Sequence, residues 1–351
     1  MNNTLIIDLA KDVFEIGIAN AAGKIIERKR LTRPAFTHFM ATTAPSNVVM
    51  EACGSAHHWA RRFQSAGHRF TLLPPQYVRP YRRRNKTDRA DVTAILDASR
   101  SADIKPVPVK SVDQQNLQFC HRLREQWKAT RTARINTLRA VLREHGHFFA
   151  LGPATFLAQV RAVIDAEPEI QFLAPLLHTL LADIDHCAAQ MKQTEQLLKV
   201  AEKQNPDIAT LQSIPGIGLM ISTGLVAAIG NPNTFRNGRQ MANWLGITPR
   251  ERSSGDTRRL GRITHQGNVY LRMLLIHGAR SVLAAAERTR ARTLDQLTPL
   301  QQWVTQLRDR VGFNKAAVAL ANKLARIAWA VWRHQQPFGA NHQLACAVPI
   351  C

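Results

Sequence analysis

The sequence predicts an α/β N-terminal domain with a mixed sheet, a helical middle section and a mostly α-helical C-terminal domain. Three observations predict it. Residues 1–110 alternate short strand-like runs with helical ones. Two long stretches, 113–145 and 169–204, carry apolar residues at spacings of three and four. Beyond about residue 206, helical segments recur around a Pro-Gly turn and an arginine-rich loop. The expected boundaries are 1–110, 111–205, 206–336 and an irregular tail, 337–351.

The N-terminal elements follow from their patterns. TLIIDLA (4–10) is a short buried-type strand, and VFEIGIA (13–19) alternates with period two. KIIERKRL (24–31) follows a turn at Gly23, so the three runs read as a meander. PAFTHFMATT (34–43) reads as a helix, NVVMEA (47–52) as a strand, SAHHWARRFQSAG (55–67) as a helix ending at Gly67, and RFTLLP (69–74) as a strand. The order is βββαβαβ, followed by a helix over 88–101.

In the middle section, Leu117, Cys120, Leu123, Trp127, Leu138, Val141 and Leu142 form one stripe. Leu173, Leu176, Leu177, Leu180, Ile184, Cys187, Met191 and Leu198 form another. Such stripes suit a helical hairpin or coiled coil. The connection between them holds Gly146, Gly152, Pro153 and Pro168. In the C-terminal part, 211–230 reads as helix, tight turn, helix. Then come a short helix at 238–246, an Arg-rich loop at 250–262 and long helices at 267–286 and 315–332.

Lys plus Arg number 47 and Asp plus Glu 25, a net charge of +22. Charge of that size speaks of partners, and a polyanion such as nucleic acid is the first candidate. The rival, a membrane, finds no apolar run of spanning length, and a polar MNNT leads straight into the first strand. Five cysteines without CxxC-type spacing fit neither a disulfide framework nor a zinc site, and suit a reducing cytoplasm.

Within this basic chain, NKTDRADVTAIL (85–96) places Asp88 and Asp91 amid Arg82, Arg83, Arg84, Lys86 and Arg89. Asp88 and Asp91 are one helical turn apart and share a face. Asp8 ends the first strand and Glu51 the fourth. If those strands are neighbours, four carboxylates meet. Their repulsion is relieved by hard divalent cations such as Mg²⁺, which can clamp both oxygens of a phosphoryl transfer. The surrounding cations would hold the nucleic-acid backbone. The bland alternatives are a turn aspartate at a strand end and an Asp pair serving a helix dipole. By pattern alone, Asp12 and Asp97 are also candidate ligands.

IPGIG (214–218) between two helices is a helix-hairpin-helix signal, with a plain αα-turn as the alternative. Downstream, Ser253, Ser254 and Gly255 lie beside Arg258, Arg259 and Arg262. Guanidiniums there could hold a scissile phosphate for a serine hydroxyl, although an ordinary turn serine has the same pattern.

Taken in order, IIDLAKDVFEIGI, VVMEACGSAHHWA, NKTDRADVTAIL, LQSIPGIG, NWLGITPRERSSG, GRITHQGNVYLRMLL and ALANKLARIAWAVW resemble the motifs of IS110/IS1111-group transposases, relatives of the Piv-type DNA invertases. The resemblance spans roughly 3–335. It implies an N-terminal RuvC-like domain with a ribonuclease-H-type sheet, whose DEDD tetrad falls on Asp8, Glu51, Asp88 and Asp91 and takes Mg²⁺, with Mn²⁺ as a substitute. It implies a coiled-coil middle and a C-terminal transposase domain with a helix-hairpin-helix-like motif. The family's serine falls on Ser254, with Ser253 as the competing assignment. The serine would join a DNA end through its phosphate, in a composite site with the tetrad from one subunit and the serine from another. At least a dimer follows, and a tetramer is implied. Partners would be double-stranded DNA, both element ends and target, and a structured noncoding guide RNA; the location would be cytoplasmic, at the nucleoid. Arg84, Lys86, Arg258, Arg259, Arg262 and Asn268 are the expected nucleic-acid contacts. HQGN (265–268) departs from the pattern, with His265 where the family leads one to expect Lys. The alternatives are a metal-dependent junction nuclease, an invertase without a guide RNA, and a non-catalytic nucleic-acid-binding protein.

Overall fold

The structure is a computed structural model that describes residues 3–82, 87–150, 152–293 and 296–339. The chain divides into two compact units, Met1–Val112 and Asp113–Cys351.

The first unit is built on five strands: β1 (Thr4–Asp8), β2 (Val13–Ala19), β3 (Ile25–Thr32), β4 (Asn47–Glu51) and β5 (Arg69–Leu73). They lie in the order β3-β2-β1-β4-β5. The β1–β2 and β2–β3 pairs are antiparallel; β1–β4 and β4–β5 are parallel. The helices are α1 (Arg33–Thr42), α2 (Ala56–Gln64), a single turn α3 (Pro75–Val78) and α4 (Asp88–Ser99).

Strand alternation sorts the side chains onto two faces. Leu5, Ile7, Phe14, Ile16, Met50 and Leu72 join Phe36 of α1 with Trp59 and Phe63 of α2. Their rings meet edge-on: Phe14–Phe36 at 4.8 Å and Phe36–Trp59 at 5.1 Å between centroids. Ile6, Ala19, Val49 and Leu73 face the other way, against Val92, Ile95 and Ala98 of α4. Gly17 lets α4 approach, because a Cβ there would stand 2.7 Å from a Val92 methyl. Asp8 is two residues beyond Ile6, and Glu51 two beyond Val49, so the period of two puts both carboxylates on the α4 face.

The second unit opens with α5 (Val112–Glu144), α6 (Pro153–Ala166) and α7 (Ala174–Gln204). Helices α5 and α7 run antiparallel, with Arg124 2.7 Å from Glu195 and Arg134 3.2 Å from Asp183. The stretch expected to be a mere connection contains α6, and α7 starts at Ala174 rather than near 169. Pro153 is a helix start and Pro168 opens a separate 3-10 turn, Pro168–Ile170. Phe156, Val160 and Ile164, spaced by four, fill a core with Ile135, Leu138 and Leu142 of α5 and Leu177, Leu181 and Ile184 of α7.

The remaining helices are α8 (Pro206–Gln212), α9 (Leu219–Ile229), α10 (Gly238–Trp244), α11 (Val269–Arg292), α12 (Pro299–Val311) and α13 (Phe313–His334). They share one core, centred on Leu225, Leu245, Leu275, Leu283, Leu320, Leu324 and Trp332. The hairpin turn after α8 presses on α11: a Cβ at Gly278 would stand 2.2 Å from the Gly216 carbonyl oxygen. Three features differ from the sequence expectation. The Arg-rich loop is a two-stranded hairpin, β6 (Pro249–Glu251) with β7 (Leu260–Ile263). A further helix, α12, begins at a capping box of Thr298 and Gln301. Finally, α11 has a window long and apolar enough to cross a membrane, where no such run was expected. Its Leu271, Leu275, Ala279 and Leu283 are buried in the C-terminal core, which accounts for that apolarity.

Candidate active site

The parallel register pairs Ile7 with Met50, so Asp8 and Glu51 leave the sheet side by side at the same strand ends. Helix α4 begins across those ends. Thr87 caps it, accepting the Ala90 N–H at 3.2 Å, so Asp88 is the first helical residue and Asp91 lies one turn in. Asp88 is exposed, whereas Asp91 is only 5% exposed.

The electrostatics report that the four acids share one neighbourhood. Burial, followed by the negative charges of Asp91, Asp88 and Glu51, lifts the Asp8 carboxyl from 3.8 to about 6, against a lowering by Arg82. By pattern, Asp12 and Asp97 are the alternative ligands. Asp12 is exposed in the β1–β2 turn, and Asp97 lies almost two turns beyond Asp91 along α4. Cys53, two residues past Glu51, feels the same field: burial, then Glu51 and Asp8, push its thiol up to about 11, so it stays protonated at neutral pH.

Arg82 enters this cluster. Its Nη2 donates to Glu51 Oε2 at 3.2 Å, and its Nε stands 2.7 Å from Asp91 Oδ1. The second contact is close but off-line, so Nε and Oδ1 are both buried without a hydrogen bond among the described residues. No three acids, histidines or cysteines among the described residues already stand in the geometry of a coordination sphere. In kind, the donor set suits a hard divalent cation: four carboxylates, with a buried oxygen of Asp91 lacking a hydrogen bond. In the sequence Arg82 is marked only as part of the cationic run, and Cys53 carries no signal beyond its position after Glu51.

The second locus is the β6–β7 hairpin. The Ser253 hydroxyl donates to Glu251 Oε1 at 2.8 Å and accepts the Arg259 N–H at 3.2 Å. Arg258 pairs with the same Glu251 oxygen at 3.2 Å. Ser254 exchanges backbone hydrogen bonds with Thr257, at 3.3 and 3.2 Å, beside Gly255 at φ +55°. Its exposed hydroxyl makes no hydrogen bond among the described residues. Arg259 and Arg262 are exposed. Asn268 instead caps α11, its side chain accepting the Leu271 N–H at 3.1 Å. Arg84 and Lys86 lie outside the described residues.

Comparison with known proteins decides the family. A model of IS110-type DEDD transposases matches residues 7–147, and that of the transposase IS116/IS110/IS902 family matches 208–294. The transposase for insertion sequence element IS1111A of Coxiella burnetii is 36% identical over 95% of this chain and 90% of its own length. The chain belongs to the IS110 family of transposases. Such enzymes cut and join DNA. A probable family 20 transposase of Pseudomonas aeruginosa is 38% identical over 93% of this chain and 95% of its own. A pilin gene-inverting protein of Moraxella bovis is 26% identical over 84% and 83%. In this transposase the first family match contains all four clustered acids, and the second contains the β6–β7 hairpin with its serines.

Proposed function

We propose that this transposase moves an insertion sequence through a DEDD tetrad of Asp8, Glu51, Asp88 and Asp91, with Ser254 as the nucleophile that attaches to DNA. The observation that carries the reading is the lift of Asp8 by burial and then by the charges of Asp91, Asp88 and Glu51, at the ends of parallel strands β1 and β4. That arrangement supports a ribonuclease-H-type, RuvC-like domain. A divalent cation, Mg²⁺ or Mn²⁺, would neutralise the tetrad and polarise a phosphate oxygen. Asp91, Glu51 and Asp8 would supply oxygen ligands from rigid strand and helix ends, and exposed Asp88 would complete the set toward the DNA.

Ser254 is favoured over Ser253 because the Ser253 hydroxyl already bridges Glu251 and the Arg259 amide. The Ser254 oxygen would attack phosphorus and lose its proton, while the departing deoxyribose oxygen takes one up. The phosphodiester count is preserved, so a hydroxyl on a new DNA end can reverse the attachment without an external energy source. Arg259 and Arg262 would offset the charge that builds on the phosphate. The chain's +22 suits both DNA and a structured guide RNA, in which base pairing would choose the target. A tetrad and a serine from different subunits would require at least a dimer, with the α5–α7 arm as a coiled coil. Transposition is preferred to inversion because the two transposases named above are 36% and 38% identical to this chain and the gene-inverting protein 26%.

The test uses DNA carrying the element ends, Mg²⁺ and candidate flanking RNA. Asp8→Asn should abolish cleavage. Ser254→Ala should abolish the covalent serine–DNA adduct seen by mass spectrometry, whereas Ser253→Ala should retain it. Undiminished joining by Ser254→Ala would refute the serine step; cleavage untouched by Asp8→Asn would refute the tetrad.

A further inference from the structure

Arg82 follows the 3-10 turn Arg79–Tyr81 and reaches in among the acids. Its side chain is 28% exposed, while those of its partners Glu51 and Asp91 are 16% and 7% exposed. A structural arginine bridge at such depth is ordinarily in line and often bidentate, because buried charges need well-made hydrogen bonds to offset desolvation. This one is not. Among the described residues only the Glu51 contact is a proper hydrogen bond, and the Nε–Oδ1 contact to Asp91 leaves both atoms without one. Nor does it balance the charge among the described residues, where one guanidinium stands against four carboxylates. The guanidinium contacts the ends of both Glu51 and Asp91, two of the carboxylates that would hold a divalent cation.

We propose that Arg82 is a displaceable counter-ion of the tetrad. It holds Glu51 and Asp91 before a divalent cation enters, gives way to that cation, and is then free to pair with a phosphodiester of the bound DNA. This inference rests on the tetrad reading. The Arg82-closed form competes with metal, so apparent metal affinity is reduced by the fraction of molecules in which Arg82 is withdrawn. A closed form favoured about tenfold weakens apparent affinity about tenfold. Arginine suits the second task, since a planar fork released from two carboxylates matches the oxygens of a phosphate.

The experiment is metal binding to the full chain without DNA, followed by titration calorimetry and by electron paramagnetic resonance of free Mn²⁺. Arg82→Gln should bind Mn²⁺ about tenfold more tightly than the wild type and should melt lower in chelator, regaining the difference on Mn²⁺ addition. Equal or weaker Mn²⁺ binding by Arg82→Gln overturns the inference. Asp8→Asn separates the two readings. If it weakens Mn²⁺ binding while Arg82→Gln fails to tighten it, the tetrad stands and the Arg82 inference falls. If it leaves Mn²⁺ binding unchanged, the tetrad reading fails and takes this one with it. A measurement on the wild type keeps the inference testable should Arg82→Gln not fold. The side-chain Nε–H resonance of Arg82, assigned by its loss in Arg82→Lys, should shift and exchange faster with water on saturation with Mg²⁺. An unmoved resonance overturns the displacement.

Discussion

Asp8→Asn should stabilise the metal-free protein at neutral pH, although it removes a residue proposed to be essential. Asp8 is half-buried at the end of β1 and is lifted from 3.8 to about 6 by burial and by Asp91, Asp88 and Glu51. A carboxyl whose folded pKa exceeds its unfolded one makes the folded state bind more protons between the two values. Its contribution is therefore full below about pH 4 and is lost as pH rises through about 6. The interval corresponds to roughly 3 kcal/mol for a fully buried group. Asp8 is partly open to solvent, so screening reduces this to about 1–2 kcal/mol. Asparagine keeps the shape and carries no charge, so that loss disappears. For a unit of this size the difference is a melting shift of about 5–10 °C. The assay is thermal unfolding in chelator at steps from pH 4 to 7.5. Wild type minus Asp8→Asn should be near zero at pH 4 and should favour the variant increasingly up to pH 7. Parallel curves for the two proteins would refute the claim that the four acids crowd Asp8. Adding Mg²⁺ should reverse the ranking, because neutralisation by the cation benefits only the intact tetrad.

Gly278→Ala should cost about 1–3 kcal/mol, because the new methyl would meet the Gly216 carbonyl at 2.2 Å and push the 214–218 turn off α11; an unchanged melting temperature would show that the turn moves freely. His121 is 4% exposed, lies between the Tyr270 hydroxyl at 2.8 Å and Thr223 Oγ1 at 3.0 Å, and is lowered by burial, then by Arg124, from 6.5 to about 4. Its contribution is present above about pH 6.5 and is lost as pH falls through about 4, so His121→Gln should flatten the acid limb by up to about 3 kcal/mol; an identical acid limb in urea melts counts against a neutral, buried imidazole. DNA affinity should fall steeply with salt, with a log–log slope of about −0.9 for each phosphate neutralised; a flat response in filter binding or anisotropy would mean that the +22 charge does not engage the backbone.

The parts of this molecule legible in the sequence are those set by period. Strand alternation was enough to give βββαβαβ, to make β1 and β4 candidates for neighbours, and to end both on an acid. The structure adds the face: counting in twos from Ile6 to Asp8 and from Val49 to Glu51 puts both acids on the α4 side. What the sequence did not disclose depends on punctuation that reads two ways. Pro153 and Pro168 look like loop residues, yet Pro153 opens α6 and Pro168 opens the turn after it. The run 250–262 reads as a loop because serine, glycine and arginine dominate it, yet backbone pairing of Pro249 with Ile263 needs no apolar alternation.

Arg82 is the instructive omission. In one dimension it is the first of three consecutive arginines, and nothing separates it from Arg83 or Arg84. Its distinction comes from position in space. It follows the turn that ends at Tyr81, so its side chain meets Glu51, thirty-one residues earlier, and Asp91, nine later. A basic run beside an acidic pair invites a division of labour in which acids take metal and bases take DNA. The geometry of Arg82 does not respect that division, since its guanidinium sits on the acids. The same cation can serve both tasks in succession only if its grip on the carboxylates is weak enough to release. An off-line contact to a buried oxygen is what such a grip requires, since a well-made bidentate bridge would hold the guanidinium against the proposed metal.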